Sequence, residues 1–402
     1  MPRLNVPAPW RWTLGLTAVL LMPGAAAAQL PPLTGYYLHA AAVSEASPLG
    51  PSGVLDLQRL RLMSRGTAGP VRFDMAWETT LLLRSNEVVL GRGFQEAEPA
   101  APWLGLQGSL VDRRRVGWRH GLDRLSVSAD VRNRARITVG RQTVSWATTL
   151  YLTPADPFVP FDPADPFREY RAGVDAVRTV VFTGPFSQVD AVVRPAPKPG
   201  GGETWTALIR GQRLMAGWEI AGWGGLLHDR SAAALAASGS VGEMGIRAEG
   251  SIRSSGEGTV VRIAAGLDRL VEFRNRDLRL VAEVQRDGLA AGDVTELMDV
   301  ALSAPAARGE LSVLGREAAL VNANWQVHPL ASVSLLSMVS LQDGSALVSP
   351  GLVWSLADEV SLRLGGYAGL GPRAHAEGGV PTLRSEHGGT PLIGFAALSV
   401  FF

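Results

Sequence analysis

The chain has 402 residues, with 38 basic and 37 acidic side chains, a net charge near +1 and no cysteine. So even a balance argues against a general nucleic-acid or membrane-surface binder, and the missing thiol excludes disulfide frameworks, cysteine nucleophiles and cysteine metal sites. Lys198 is the only lysine, which removes Walker-type phosphate loops and Schiff-base chemistry.

The first element reads as a secretion signal. Arg3 and Arg11 flank a basic start, "TLGLTAVLLMPG" is a short apolar run, and "AAAAQ" at 25–29 supplies small residues for cleavage. Cleavage is expected after Ala28, which makes 1–28 the signal peptide and 29–402 the mature domain. Beyond it no stretch reaches the roughly 18–20 apolar residues that a membrane helix needs.

Segments alternating with period 2 then follow one another. In 71–83, Val71, Phe73, Met75 and Trp77 oppose Arg72, Asp74 and Glu78. In 124–132, Leu125, Val127, Ala129 and Val131 oppose Arg124, Ser126, Ser128, Asp130 and Arg132. The same pattern sets Ile246, Ala248 and Ile252 against Arg247, Glu249, Ser251 and Arg253, and Leu278, Leu280, Ala282 and Val284 against Arg279, Glu283 and Gln285. These are strands, not helices. The last of them, "PLIGFAALSVFF" (391–402), carries no charge and ends on two aromatics.

Alternation alone leaves two architectures open. In a soluble sandwich the charged face meets water, whereas in a membrane barrel it lines the interior and the apolar face meets lipid. Three features favour the barrel. The segments are near ten residues, the length of a tilted spanning strand. Tight connections such as "HPLA" (328–331) and "LADE" (356–359) contrast with long ones at 147–173 and 371–390. Trp325 and Trp354 precede the tight turns, where an aromatic girdle belongs. The expectation is an all-β, transmembrane antiparallel barrel of about 16–18 strands, with the least certain ones between 84 and 117. The "HPLA" and "LADE" turns would face the periplasm and 371–390 the outside.

With these features the chain resembles bacterial outer-membrane porins. The resemblance implies outer-membrane lipid as surroundings and Phe402 as the terminal aromatic read by the barrel-assembly machinery. The stretch "GRQTVSWATTLYLTPADPFVPFDPADPFREYRAGVDAVR" (140–178) is also similar to a porin-like branch that includes alginate-export-type channels. In such barrels a long loop folds into the lumen. Pro154, Pro157, Pro160, Pro163 and Pro166 keep 147–173 out of helix and ladder, which also suits a stiffened extracellular loop.

The candidate site is a charged constriction. Arg124 and Arg132 share the polar face of one strand, Arg136 lies on the next, and Arg141 begins the segment entering the long loop. Arg168, Arg171 and Arg178 follow it, and Asp156, Asp162, Asp165 and Glu169 would oppose the arginines. Arginines in a pore concentrate anions and bind carboxylate or phosphate bidentately; alternatively these charges pair with one another in a wide, hydrated lumen. The chain lacks Gly-x-Ser-x-Gly and His-Glu-x-x-His, and "GGYAGLG" (365–371) is flanked by strands alone. No catalytic residue, metal or cofactor is read from it. The expected function is passive passage of small hydrophilic solutes with an anion bias. Export of an anionic polysaccharide, a closed structural or adhesive barrel, and a soluble periplasmic all-β binding protein are the rivals.

Overall fold

A computed structural model describes residues 31–48, 50–86, 102–158, 167, 170–198, 201–256, 258–377 and 380–402. The expected signal peptide lies outside them. The strands run in chain order as β1 Leu33–Ser44, β2 Gly53–Ala68, β3 Val71–Arg84, β4 Gln107–Arg113, β5 Val116–Val131, β6 Ala135–Gln142 and β7 Val174–Gly184. Then come β8 Ser187–Pro197, β9 Glu203–Met215, β10 Trp218–Leu227, β11 Arg230–Val241, β12 Met244–Ser254, β13 Thr259–Glu272 and β14 Asp277–Asp287. After two short helices, α1 Leu297–Ala301 and α2 Ala304–Ala307, follow β15 Glu317–His328, β16 Ala331–Ser340, β17 Ala346–Ala357 and β18 Val360–Leu370. A small hairpin, β19 His375–Glu377 and β20 Val380–Thr382, precedes β21 Ile393–Phe401.

Nineteen of these strands form one antiparallel sheet, closed where β21 pairs with β1. The ring has eighteen positions, because β4 and β6 share one. β6 pairs with Leu125–Val131 of β5, whereas β4 pairs with Val116–Gly121 beyond the point where β6 leaves the wall. That composite stave is why the segment between 84 and 117 resists reading from alternation.

Burial is turned inside out relative to a soluble sandwich. Leu125, Val127 and Val131 are exposed while Arg124 and Ser126 are buried. Ile252, Leu280 and Val284 are exposed, whereas Glu249, Ser251, Glu283 and Gln285 are buried. On β21 Leu398 looks outward and Ala397 and Ser399 inward, and Phe402, one residue past the strand, is exposed as well. Exposed apolar side chains recur on strand after strand, forming a continuous outer belt of the kind lipid covers.

Eight connections of two to four residues close one end of the ring, including 329–330 and 358–359. Both chain ends of the barrel meet there, Gly35 and Phe402 exchanging backbone hydrogen bonds. The opposite end carries 143–173, 288–316 and 371–392. The middle one, holding both helices, is not among the long loops expected from sequence.

Candidate functional site

The inward faces carry arginines that share carboxylates. Asp123 accepts from Arg61 at 2.5 Å and from Arg124 at 2.6 Å, while Glu78 holds Arg61 at 2.9 Å and Arg59 at 3.5 Å. Nearer the tight turns, Asp130 bridges Arg72 and Arg136, and Asp268 bridges Arg247 and Arg279. The first group sets three guanidiniums against two carboxylates and each of the other two sets two against one, so each holds one more arginine than carboxylate.

The segment 143–158 leaves β6 and crosses the interior. Glu249 on β12 accepts the backbone N–H groups of Thr148, Thr149 and Ala155 at 2.6, 3.2 and 3.0 Å. Glu283 on β14 accepts those of Leu150, Tyr151 and Leu152 at 2.6, 2.9 and 2.7 Å. Six amides that no ladder satisfies thus find two carboxylates on the far wall, which is how irregular backbone is tolerated here. Apolar contacts complete the docking. Leu152 and Phe167 pack with Tyr36, Leu38, Leu320, Met338 and Phe395 on one side of the interior. Trp146, Ala155 and Phe158 pack with Val192, Leu208 and Trp223 on the other. The chain returns along β1 and β2, where Tyr170 stacks on Tyr36 and the Phe167 carbonyl accepts from Arg59.

The expected site residues are dispersed across this arrangement. Arg124 lies inward on β5, hydrogen-bonded to Asp123 and to the Arg171 carbonyl. Arg132 is not on the strand's polar face: β5 ends at Val131, and Arg132 stands in the turn with φ +50°. Arg136 is partly exposed and bound to Asp130 at 2.8 Å. Arg141 is 0% exposed and does not line a passage. It grips Asp175 through two nitrogens at 2.8 and 2.9 Å and donates to the carbonyls of Leu104 and Leu122, at the junction of β5, β6, β7 and the segment before β4. Asp156 is buried within the crossing segment, accepting from Ser145 and Arg171; burial pushes its carboxyl up despite that arginine. Arg178 is held by Asp190. Asp162, Asp165, Arg168 and Glu169 lie outside the described residues. Sequence reading placed Glu249 and Glu283 on polar strand faces without singling them out, because their partners are main-chain amides about a hundred residues away, which leave no side-chain signature.

The loop 288–316 docks over the same end through Glu310. Its carboxylate meets Arg253 at 2.7 Å, Arg308 at 2.5 Å and His228 at 3.7 Å, and its carbonyl accepts from Arg262. Burial pushes Glu310 up, but Arg253 and Arg308 outweigh it and hold it down at about 2. Burial also drives His228 down to about 4. Both folded values lie below the ordinary 4.5 and 6.5. The docked loop therefore loses stability as pH falls, first through His228 between 6.5 and about 4, then through Glu310 from 4.5 towards about 2. Protease accessibility of 288–316, measured against pH, is expected to rise across the upper window and to rise less in His228→Gln; a flat profile down to pH 4 would contradict this.

No family model matches the chain, and no curated protein matches it. Solved structures do match in fold. OccK2 (OpdF) of Pseudomonas aeruginosa superposes with a TM-score of 0.55 at 10% identity, covering 93% of this chain and 99% of that one. A BenF-like porin from Pseudomonas fluorescens Pf-5 gives 0.50 at 10% identity, covering 93% and 98%. At this identity the likeness shows the fold: a closed 18-stranded antiparallel barrel of the outer-membrane porin type.

Proposed function

We propose that the chain is an outer-membrane channel for passive passage of small hydrophilic solutes, with a preference for anions. The observation that carries this reading is the inverted wall: an apolar exterior suited to lipid around an interior lined with hydrogen-bonded arginine and carboxylate. Diffusion needs no cofactor; size exclusion at the crossing segment and the potential of the lumen do the selecting. The anion preference is supported by the arginines around Glu78 and Asp123, around Asp130 and around Asp268, each cluster holding one more guanidinium than carboxylate. Outer-membrane lipid and the barrel-assembly machinery, through Phe402, are the partners that belong to this reading.

A closed structural barrel is the second reading, favoured by the two apolar clusters that the crossing segment makes on facing walls. Export of an anionic polysaccharide through the same wall would need that segment to yield. Single-channel recording under a salt gradient separates them. Discrete steps with an anion-favouring reversal potential are expected, and Arg136→Gln with Arg279→Gln, both partly exposed in the lumen, is expected to move that potential towards zero. Silent but correctly inserted protein would overturn the channel reading.

A further inference from the structure

At the end of the barrel closed by tight turns, the inner wall from β13 to β17 carries a hollow of about 280 Å³. Its residues come from inward positions of neighbouring strands. Arg279 of β14 is level with Leu270 of β13 and with Asn324 of β15. One step nearer the turns, Gln326 follows Asn324 on the same face of β15, and Ser332 of β16 is level with Val353 of β17. The turn 329–330 borders the hollow, its Leu330 carbonyl accepting from the Ser355 N–H at 2.8 Å.

Two properties of this hollow require explanation. The first is unspent hydrogen bonding. Other inward polar side chains meet one another, as Ser128 meets Thr138 at 3.0 Å and Gln188 meets Gln212 at 3.3 Å. Among the described residues, by contrast, the side chains of Asn324, Ser332 and Ser355 make no hydrogen bond, and Gln326 makes only a long one, 3.4 Å to the Pro329 carbonyl. The second is apolar surface on the water side. Leu270 points inward beside Arg279 and is 59% exposed, and Leu330 at the turn is 53% exposed. Val353 carries that surface to the far side of the amides. A wall that only had to be wet would hold no leucine there, since burial of such side chains is favourable and exposure is not.

We infer that the hollow is a binding subsite for a small, neutral, polyhydroxylated solute, a monosaccharide or an alditol. Hydrogen-bonding capacity selects the class. Each amide and hydroxyl of the hollow both donates and accepts, and so does every hydroxyl of a polyol. An anion only accepts, so it leaves the Asn324 and Gln326 side-chain carbonyls unmet. An ammonium only donates, so it leaves their NH2 groups unmet. The charges at the border offset each other, because Arg279 and Asp277 lie two residues apart on the same face of β14. Water satisfies the amides too, but it gains nothing from Leu270, Leu330 and Val353. A sugar offers C–H groups to these three and hydroxyls to the amides between them. Pockets that hold small molecules run from about 300 Å³ upward, so the hollow admits one such unit. It is open to the lumen, which holds the solute briefly at the mouth; passage beyond it rests on the channel reading above.

Saturation-transfer-difference NMR on the protein in lauryldimethylamine oxide micelles, with D-glucose and sorbitol as probes, tests binding without requiring conduction. Transfer to the C–H protons of both probes is expected. Asn324→Ala with Gln326→Ala is expected to weaken binding roughly tenfold. Ser332→Phe, which fills the hollow and leaves both amides, is expected to abolish it. Ser128→Ala with Thr138→Ala, on β5 and β6 across the barrel, is expected to leave it unchanged. Absence of transfer to either probe from heat-modifiable protein would overturn the inference, and so would transfer that survives both hollow variants. Equal transfer to polyethylene glycol 200, which accepts along its chain and donates only at its ends, would overturn the selection by hydroxyls. Planar-bilayer recording of the same preparation keeps the two readings apart. Normal steps without sugar binding remove the subsite and leave the channel, whereas sugar binding to protein that inserts silently leaves the subsite and removes the channel.

Discussion

Glu249→Ala combined with Glu283→Ala will raise single-channel conductance and make it noisier, without loss of the barrel. The two carboxylates hold six backbone N–H groups of residues 148–155, and no ladder replaces them. Hydrogen bonds to a charged group contribute about 1.5–3 kcal/mol each. Even the loss of two or three of them shifts the docked-to-released balance of the crossing segment by about 4 kcal/mol, close to a thousandfold. The segment does not float free at once, since Leu152, Phe167, Trp146 and Phe158 keep their apolar contacts. The open state is therefore expected as long, frequent excursions above the wild-type level. The wall itself closes through backbone pairing of β12 and β14 with their neighbours, which the substitutions leave intact, so heat-modifiability should persist. Unchanged conductance in correctly inserted double-variant protein would mean that the segment does not control the passage.

The second large effect concerns stability. Asp175→Ala strands Arg141, which is fully buried and has no water to turn to. Breaking a buried pair by removing one partner costs about 3–5 kcal/mol. Asp175 also accepts the N–H groups of Trp103 and Leu104, which tie the segment before β4 to β7. This is the junction where β4 takes over the position vacated by β6, so its loss is expected to slow insertion as well as lower the unfolding midpoint. Urea titration of the barrel refolded into vesicles measures the cost. Arg141→Met in the Asp175→Leu background is expected to recover much of it, because the buried charge disappears. A single-variant loss under about 1 kcal/mol, the range of a solvent-exposed pair, would show that the pair is not desolvated in the membrane.

Each of these residues shows a limit of reading one dimension. Arg141 is legible as a cation at the start of the segment entering the long loop, and on that ground it is grouped with the lumen candidates. The structure instead seals it in the wall, because the chain folds back from β3 and lays Leu104 over it. Arg132 follows Arg124 with correct parity, but parity ends with the strand, and the next residue is already in a left-handed turn. Glu249 and Glu283 were visible as polar positions and nothing more.

What the sequence determined by itself was the class of the molecule. Period-2 alternation, short turns against long connections and the charge-free last strand are local properties, and they led to a barrel of about 16–18 strands with its charges inside and to the positions of several of those strands. Alternation by itself is common to a sandwich and a barrel, so the solvent on each face rested on turn lengths and aromatic placement; closure of β21 on β1 with the apolar face outermost agrees with that reading. Tertiary structure alone decided the rest: the eighteen positions, the composite stave, the crossing segment and which arginine meets which carboxylate. Those contacts join residues as far apart as Leu150 and Glu283. They depend on the diameter of the ring and on which strand stands opposite which, and neither quantity is written into any short stretch of chain.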